Sequence, residues 1–152
     1  MNKISRFNIR VYFLLFDEGQ KHVLVSDELI RGQKITKFPG GGLEYGEGLR
    51  DGAMREALEE LGQPIRIKEH FYTTDFFVQS AFNPQDQVIS VYYLAELISD
   101  VNFRIVKQKH DFYNHDSESF RWVEISGITP SDFNFPADQK AVELILQKFE
   151  LS

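Results

Sequence analysis

The chain has 152 residues, with 42% hydrophobic and 26% charged side chains, a formal net charge of −6 and no cysteine. That balance fits one soluble globular domain spanning 1–152, and it rules out disulfides and thiolate metal sites. An acidic chain is a poor partner for long nucleic acids, which need a basic patch, but the charge does not bar a small anionic ligand.

The opening MNKISRFNIR is polar and lacks a signal-peptide core. No apolar run approaches the ~20 residues of a spanning helix. A cytoplasmic protein with no membrane partner is the expectation.

Residues 7–16 read as a strand. Ile9, Val11, Phe13 and Leu15 alternate onto one face. The other face carries Asn8, Arg10 and Tyr12 before turning apolar at Leu14 and Phe16. A face mixed in this way suits either the lining of a site or a sheet edge near solvent. Asp17–Gln20 is a turn and Lys21–Ser26 the return strand, followed by a loop through Arg31-Gly32-Gln33. A short strand, Ile35–Phe38, then runs into Pro39 and three glycines.

Gly48–Leu61 is the clearest helix. Leu49, Ala53, Ala57 and Leu61 recur every four residues, and Met54 and Leu58 widen that stripe. Gly62 suits the left-handed position that ends a helix, and Pro64 blocks continuation. Two long strands are expected next, Ile65–Gln79 and Gln87–Ile98, joined as a hairpin by Ser80–Asp86. Residues 99–118 are irregular. Phe120–Ile125 reads as a strand, and Phe135-Pro136 opens a last helix with Ala141, Val142, Ile145, Leu146 and Phe149 on its buried stripe. Strands interrupted by one helix and closed by another imply a mixed sheet flanked by helices.

The chemistry concentrates in Gly41–Gly62, GGLEYGEGLRDGAMREALEELG. Glu56, Glu59 and Glu60 crowd onto about one helical turn, where like charges repel. A divalent cation removes that repulsion and keeps the carboxylates ionised. Carboxylates are hard ligands suited to magnesium or manganese, which bridge to substrate phosphates. Taken alone, a glutamate-rich helix face is usually just solvated. The glycines and Glu47 at fixed offsets make the pattern specific.

That pattern resembles the Nudix box, here residues 41–63: Gly41, Glu47, Arg55, Glu56, Glu59, Glu60 and Gly62 meet every charged and glycine position. Gln63 replaces the usual final aliphatic residue. Phe38-Pro39-Gly40-Gly41-Gly42 resembles the entry to the box, and Trp122-Val123 the strand after the family's variable loop. The resemblance implies a Nudix-type α/β/α sandwich with a mixed β-sheet flanked by helices. It also implies magnesium-dependent (or manganese-dependent) hydrolysis of a nucleoside diphosphate linked to another moiety: a nucleotide sugar, nucleoside triphosphate or ADP-ribose type of substrate.

By the same resemblance Glu56 and Glu60 are metal ligands, with Glu59 close behind and the carbonyl of Gly40 or Gly41 beside them. Arg55 orients the box carboxylates, or else forms a surface pair with Asp51. Glu47 and Gly62 support the box. The general base comes from the box helix, as Glu59, or from the later loop, as Glu118, with His115, Asp116 and His110 in the same polar run. Base and sugar selection falls to sheet and loop side chains such as Arg10, Tyr12, Phe76 and Tyr92. The alternative is a Nudix-like domain that senses a nucleotide derivative without hydrolysing it. A homodimer is the common assembly.

Overall fold

A computed structural model describes residues 3–149. Its spine is β1 (Arg6–Phe16), which runs parallel to β6 (Asp86–Leu97) in unbroken register from Arg6–Asp86 to Phe16–Glu96. β5 (Ile65–Thr73) adds antiparallel to β6, and the short β4 (Gly40–Gly42) lies antiparallel on β1. β2 (His22–Ile30) meets β1 only at Val23–Phe16, then diverges. It carries β3 (Gln33–Lys37) on one edge and β7 (Glu118–Glu124) on the other, both antiparallel.

The sheet is buried on both faces because β1 alternates into two cores. Tyr12, Leu14 and Phe16 join Phe38, Tyr92 and Leu94 beneath helix α2 (Pro136–Phe149), which contributes Ala137, Ala141, Val142 and Ile145. Phe13 and Leu15 join Leu24, Ala95 and Phe120 beneath helix α1 (Leu49–Leu61), which contributes Ala57 and Leu61. The architecture is the mixed sheet between helices that the sequence pattern implies.

Several boundaries differ from the sequence reading. β2 does not stop at Ser26 but continues to Ile30. Its polar residues remain in the ladder because each is satisfied: Asp27, fully buried, takes two hydrogen bonds from Arg121 of β7 and one from Thr36 Oγ1 of β3. Arg31 and Gly32 both have positive φ, 49° and 79°, and make a tight hairpin instead of an open loop. β5 ends at Thr73 rather than Gln79, after two register irregularities; Thr74 still bonds Ser90 of β6, and the chain then rejoins the sheet by a bridge from Gln79 to Gln87.

Helix α1 is narrower in its apolar face than expected. Gly52, Ala53, Ala57 and Leu61 are buried, whereas Met54 and Leu58 are 48% and 53% exposed. Small residues bring this helix close to the strands, so no wide stripe is needed. At Gly52 a Cβ would come within 2.9 Å of both Leu43 and Glu47. Gly62 ends the helix with φ 73°, and its N–H donates to the Leu58 carbonyl at 2.9 Å.

Candidate active site

The box loop is fastened to its helix by one arginine. Arg55 holds Glu47 with two nitrogens, Nε to Oε2 at 2.9 Å and Nη2 to Oε1 at 2.6 Å. Nη2 also donates to the Gly42 carbonyl at 2.9 Å, and Nη1 reaches Glu56 at 3.0 Å and Glu59 at 3.3 Å. Asp51 takes no part. Glu47 in turn accepts the Glu44 N–H at 2.9 Å. The hydrogen bonds from Arg55, then that from the Glu44 backbone, hold the Glu47 carboxyl down at about 2. Glu47 is therefore a permanent anion that fixes the loop–helix junction.

Behind this junction the glutamates separate. Glu56 packs its carboxylate against Gly41, where any Cβ would collide with it. Its side chain is 14% exposed, whereas that of Glu59 is 58% exposed and turns to the outer side of Arg55. Glu60 points inward. It meets two carboxylates from other parts of the chain, Glu28 on β2 and Glu118 on β7; oxygens of the three lie within 4.8 Å of one another. β2 and β7 pair Glu28 directly with Glu118, which is why strands distant in sequence present them together.

Two neighbours offset this negative charge in part. Lys37 Nζ lies 2.9 Å from Glu28 Oε2. Ser26 Oγ lies 3.0 Å from Glu28 and 2.9 Å from Glu118, and its one proton serves either of them at a time. Burial favours the neutral acid at Glu28, but Lys37 together with hydrogen bonds to Glu118 and Ser26 outweighs it and the carboxyl is lowered. Glu60 has no such partner. Burial raises it to about 9, with Glu118, Glu28 and Glu56 adding to the shift against the pull of Lys37. Burial, then Glu28, raises Glu118 to about 7.

These residues suit a hard divalent cation. Glu60 Oε2 is buried without any hydrogen-bond partner, and a metal ion would satisfy it and reverse the proton affinity of the whole group. The glycine turn brings backbone within reach: at Gly40, φ 150°, a Cβ would collide with the Val11 carbonyl, so only glycine lets β4 approach β1 this closely.

The cluster stands between two hollows. One, of about 490 Å³, is lined by Glu28, Arg10, Tyr12, Lys37, Tyr92 and Phe135, among others. The other, about 400 Å³, is lined by Glu60, Glu118, Asp116, Arg104 and Phe103. Arg10 and Tyr12 thus face the larger hollow, with Arg10 Nε donating to the Tyr12 hydroxyl at 2.8 Å. Phe76 does not line it and is 42% exposed. Asp116 borders the smaller hollow. His115 is exposed, and His110 lies 3.2 Å from the Ile35 carbonyl.

Sequence reasoning missed Glu28 and Lys37. A signal for the first was present: Ser26-Asp27-Glu28 interrupts an otherwise apolar strand, VLVSDELI, with three polar residues in a row. For Lys37 no sequence signal stood out.

Known proteins share both sequence and architecture with this chain. A mouse protein named "Nucleoside diphosphate-linked moiety X motif 6" is 26% identical over 132 residues, 87% of this chain, and its human counterpart matches equally. The chain spans only 39% of the length of those relatives. Among solved structures, a NUDIX hydrolase from Nitrosomonas europaea superposes with a TM-score of 0.69 at 19% identity, covering 93% of this chain and 89% of that one. A MutT NUDIX hydrolase from Burkholderia pseudomallei gives 0.70 at 17% identity, covering 92% and 98%. At such identities the likeness is one of fold. A family model for the NUDIX domain matches residues 6–144, nearly the whole described chain, and the protein therefore belongs to the NUDIX family.

Proposed function

We propose that the protein is a divalent-metal-dependent pyrophosphohydrolase that cleaves the diphosphate bridge of a nucleoside diphosphate linked to another moiety. The observation that carries this reading is the half-buried convergence of Glu60, Glu28 and Glu118, with one buried Glu60 oxygen unpartnered, beside a hollow that Glu28 lines and that is large enough for a nucleoside. Crowded carboxyls are costly to ionise together, and a fold that keeps them converged suits a site where a cation is to be held.

Glu60 and Glu56 would hold magnesium or manganese, with the Gly40 or Gly41 carbonyl beside them and Glu59 at the outer edge. Glu28 is the weaker donor, because Lys37 already neutralises it. When bound, the metal supplies charge neutralisation of phosphate oxygens and a more acidic water. Arg55 keeps Glu56 aimed and the loop closed on the helix. Glu118 accepts the proton of the attacking water, a role its place beside Glu60 on the wall of the smaller hollow allows. The water oxygen bonds to one phosphorus as the bridging P–O bond breaks. The bridge oxygen leaves on the other phosphate, giving a nucleoside monophosphate and either a phosphorylated partner or inorganic pyrophosphate.

The test is a panel of nucleoside triphosphates, nucleotide sugars, ADP-ribose and dinucleotides with magnesium, manganese or chelator. Phosphate release is read with and without an added phosphatase. Turnover of at least one diphosphate that chelator abolishes is expected. Binding of nucleotide derivatives with no turnover under either metal would overturn the enzyme reading and leave a sensing domain.

A further inference from the structure

Lys37 is an unusual residue to find inside this protein. Its side chain is 4% exposed, although lysine is among the residues least often buried. Its ammonium has three N–H donors, and among the described residues only Glu28 accepts one of them. Two donors of a buried cation therefore have no acceptor. The ammonium sits 5.7 Å from the Tyr12 ring centre, and the Arg10 guanidinium sits 5.8 Å from the same ring. Among the described residues no carboxylate pairs with Arg10. Both cations line the larger hollow, on the side where it meets the carboxylate cluster.

A counter-ion for Glu28 alone would not need a place on the cavity wall or two idle donors. A ligand group rich in acceptor oxygens would satisfy both cations at once, and phosphate is such a group. We infer that Lys37 is a phosphate-binding residue, which grips the phosphoryl group on the nucleoside side of the bridge, with Arg10 beside it, and so directs the nucleoside into the larger hollow. This rests on the proposed hydrolysis of a nucleotide diphosphate. It adds a positioning residue outside the box and fixes which way round the substrate lies.

Binding without metal separates this role from catalysis. Each of AMP, GMP, UMP and CMP, and each matching nucleoside, is titrated calorimetrically into the chelator-treated protein. The wild type is expected to bind at least one monophosphate about tenfold or more tighter than its nucleoside, since a charge-assisted hydrogen bond is worth that much. Lys37→Met should erase the difference while leaving nucleoside affinity in place, and Lys37→Arg should keep most of it. If Lys37→Met does not fold, Glu28→Gln/Lys37→Met removes both charges of the buried pair and serves the same purpose. An unchanged preference for the monophosphate in either folded variant overturns the inference. So does an equal loss of nucleoside and nucleotide binding, or a wild type that shows no preference at all. Metal-dependent turnover on the substrate panel is scored separately, so loss of this inference leaves the hydrolase reading standing, and the reverse outcome is equally visible.

Discussion

The Tyr92 hydroxyl donates a 2.6 Å hydrogen bond to Asp138 Oδ1 in the middle of the core. The pair joins the central strand β6 to the first turn of α2, and Asp138 is 1% exposed. Burial raises the Asp138 carboxyl to about 6, against the opposing pull of Tyr92, Lys37 and the Phe38 backbone. The Tyr92 hydroxyl is raised well above its ordinary range, first by burial and then by Asp138.

Because the folded state holds the Asp138 proton more tightly than the unfolded chain, its contribution is complete at low pH and is lost as pH rises through about 6. The loss is on the order of 3 kcal/mol. Asp138→Asn removes the titration. Between about pH 4 and pH 7 the wild-type melting temperature should fall more steeply than that of the variant. Parallel slopes would show that Asp138 does not titrate in this window.

Arg55 tests how far a single residue outside the metal cluster governs activity. Lysine keeps the charge but cannot reproduce the two-nitrogen grip on Glu47 or reach Glu56 and Gly42 at the same time. Arg55→Lys should lower turnover by about tenfold to a hundredfold, the usual effect of removing a residue that orients ligands. Circular dichroism should stay unchanged. A folded Arg55→Lys protein with wild-type turnover would remove Arg55 from the machinery.

Glu60 separates metal binding from folding. Its carboxyl, raised to about 9 chiefly by burial, favours the protonated form in the metal-free fold. Metal-free stability should therefore fall as pH rises from about 4.5 towards 9, and magnesium should restore it most at the alkaline end. Glu60→Gln removes the buried charge. Its melting temperature without metal should equal or exceed that of the wild type at alkaline pH, magnesium should no longer raise it, and turnover should drop by about a thousandfold. Magnesium stabilisation that survives in Glu60→Gln would place the metal elsewhere.

What could be read in the sequence is what depends on local chain. The helix from Leu49, its glycine stop and the glycine turn before it follow from periodicity and backbone freedom within 25 residues or so. The two-faced burial of β1 was half visible, since Leu14 and Phe16 broke its polar face. The carboxylate cluster is legible only in part: Glu60 and Glu118 stand out in the sequence, whereas Glu28 does not, and nothing local shows that the three converge. Glu56, Glu59 and Glu60 are neighbours along the helix surface, yet their side chains leave it in different directions. The residues that close on Glu60 come from β2 and β7, 32 and 58 positions away by numbering. Their proximity is a product of strand pairing. The polar triplet at Ser26–Glu28 resembles the end of a strand because its compensating partners lie on other strands: Thr36 and Lys37 across the β2–β3 hairpin and Arg121 on the distant β7.

Gln63, the one clear departure from the box pattern, has a structural task that an aliphatic residue cannot perform. It is 3% exposed. Its Oε1 accepts the Asn102 N–H at 2.7 Å, and its Nε2 lies 3.2 Å from the Asp100 carbonyl and 3.3 Å from Ser99 Oγ. The side chain thereby ties the end of α1 to the segment after β6. Gln63→Leu restores the family residue but leaves the Asn102 N–H and the Asp100 carbonyl without their partner. The buried polar groups left behind should cost about 1–3 kcal/mol. Chemical denaturation would read this as a lower midpoint with an unchanged slope. Turnover should stay within about twofold of wild type, because Gln63 lines neither hollow and its side-chain hydrogen bonds go to residues 99–102. A Gln63→Leu protein as stable as the wild type would mean that solvent reaches the 99–102 segment and replaces the glutamine.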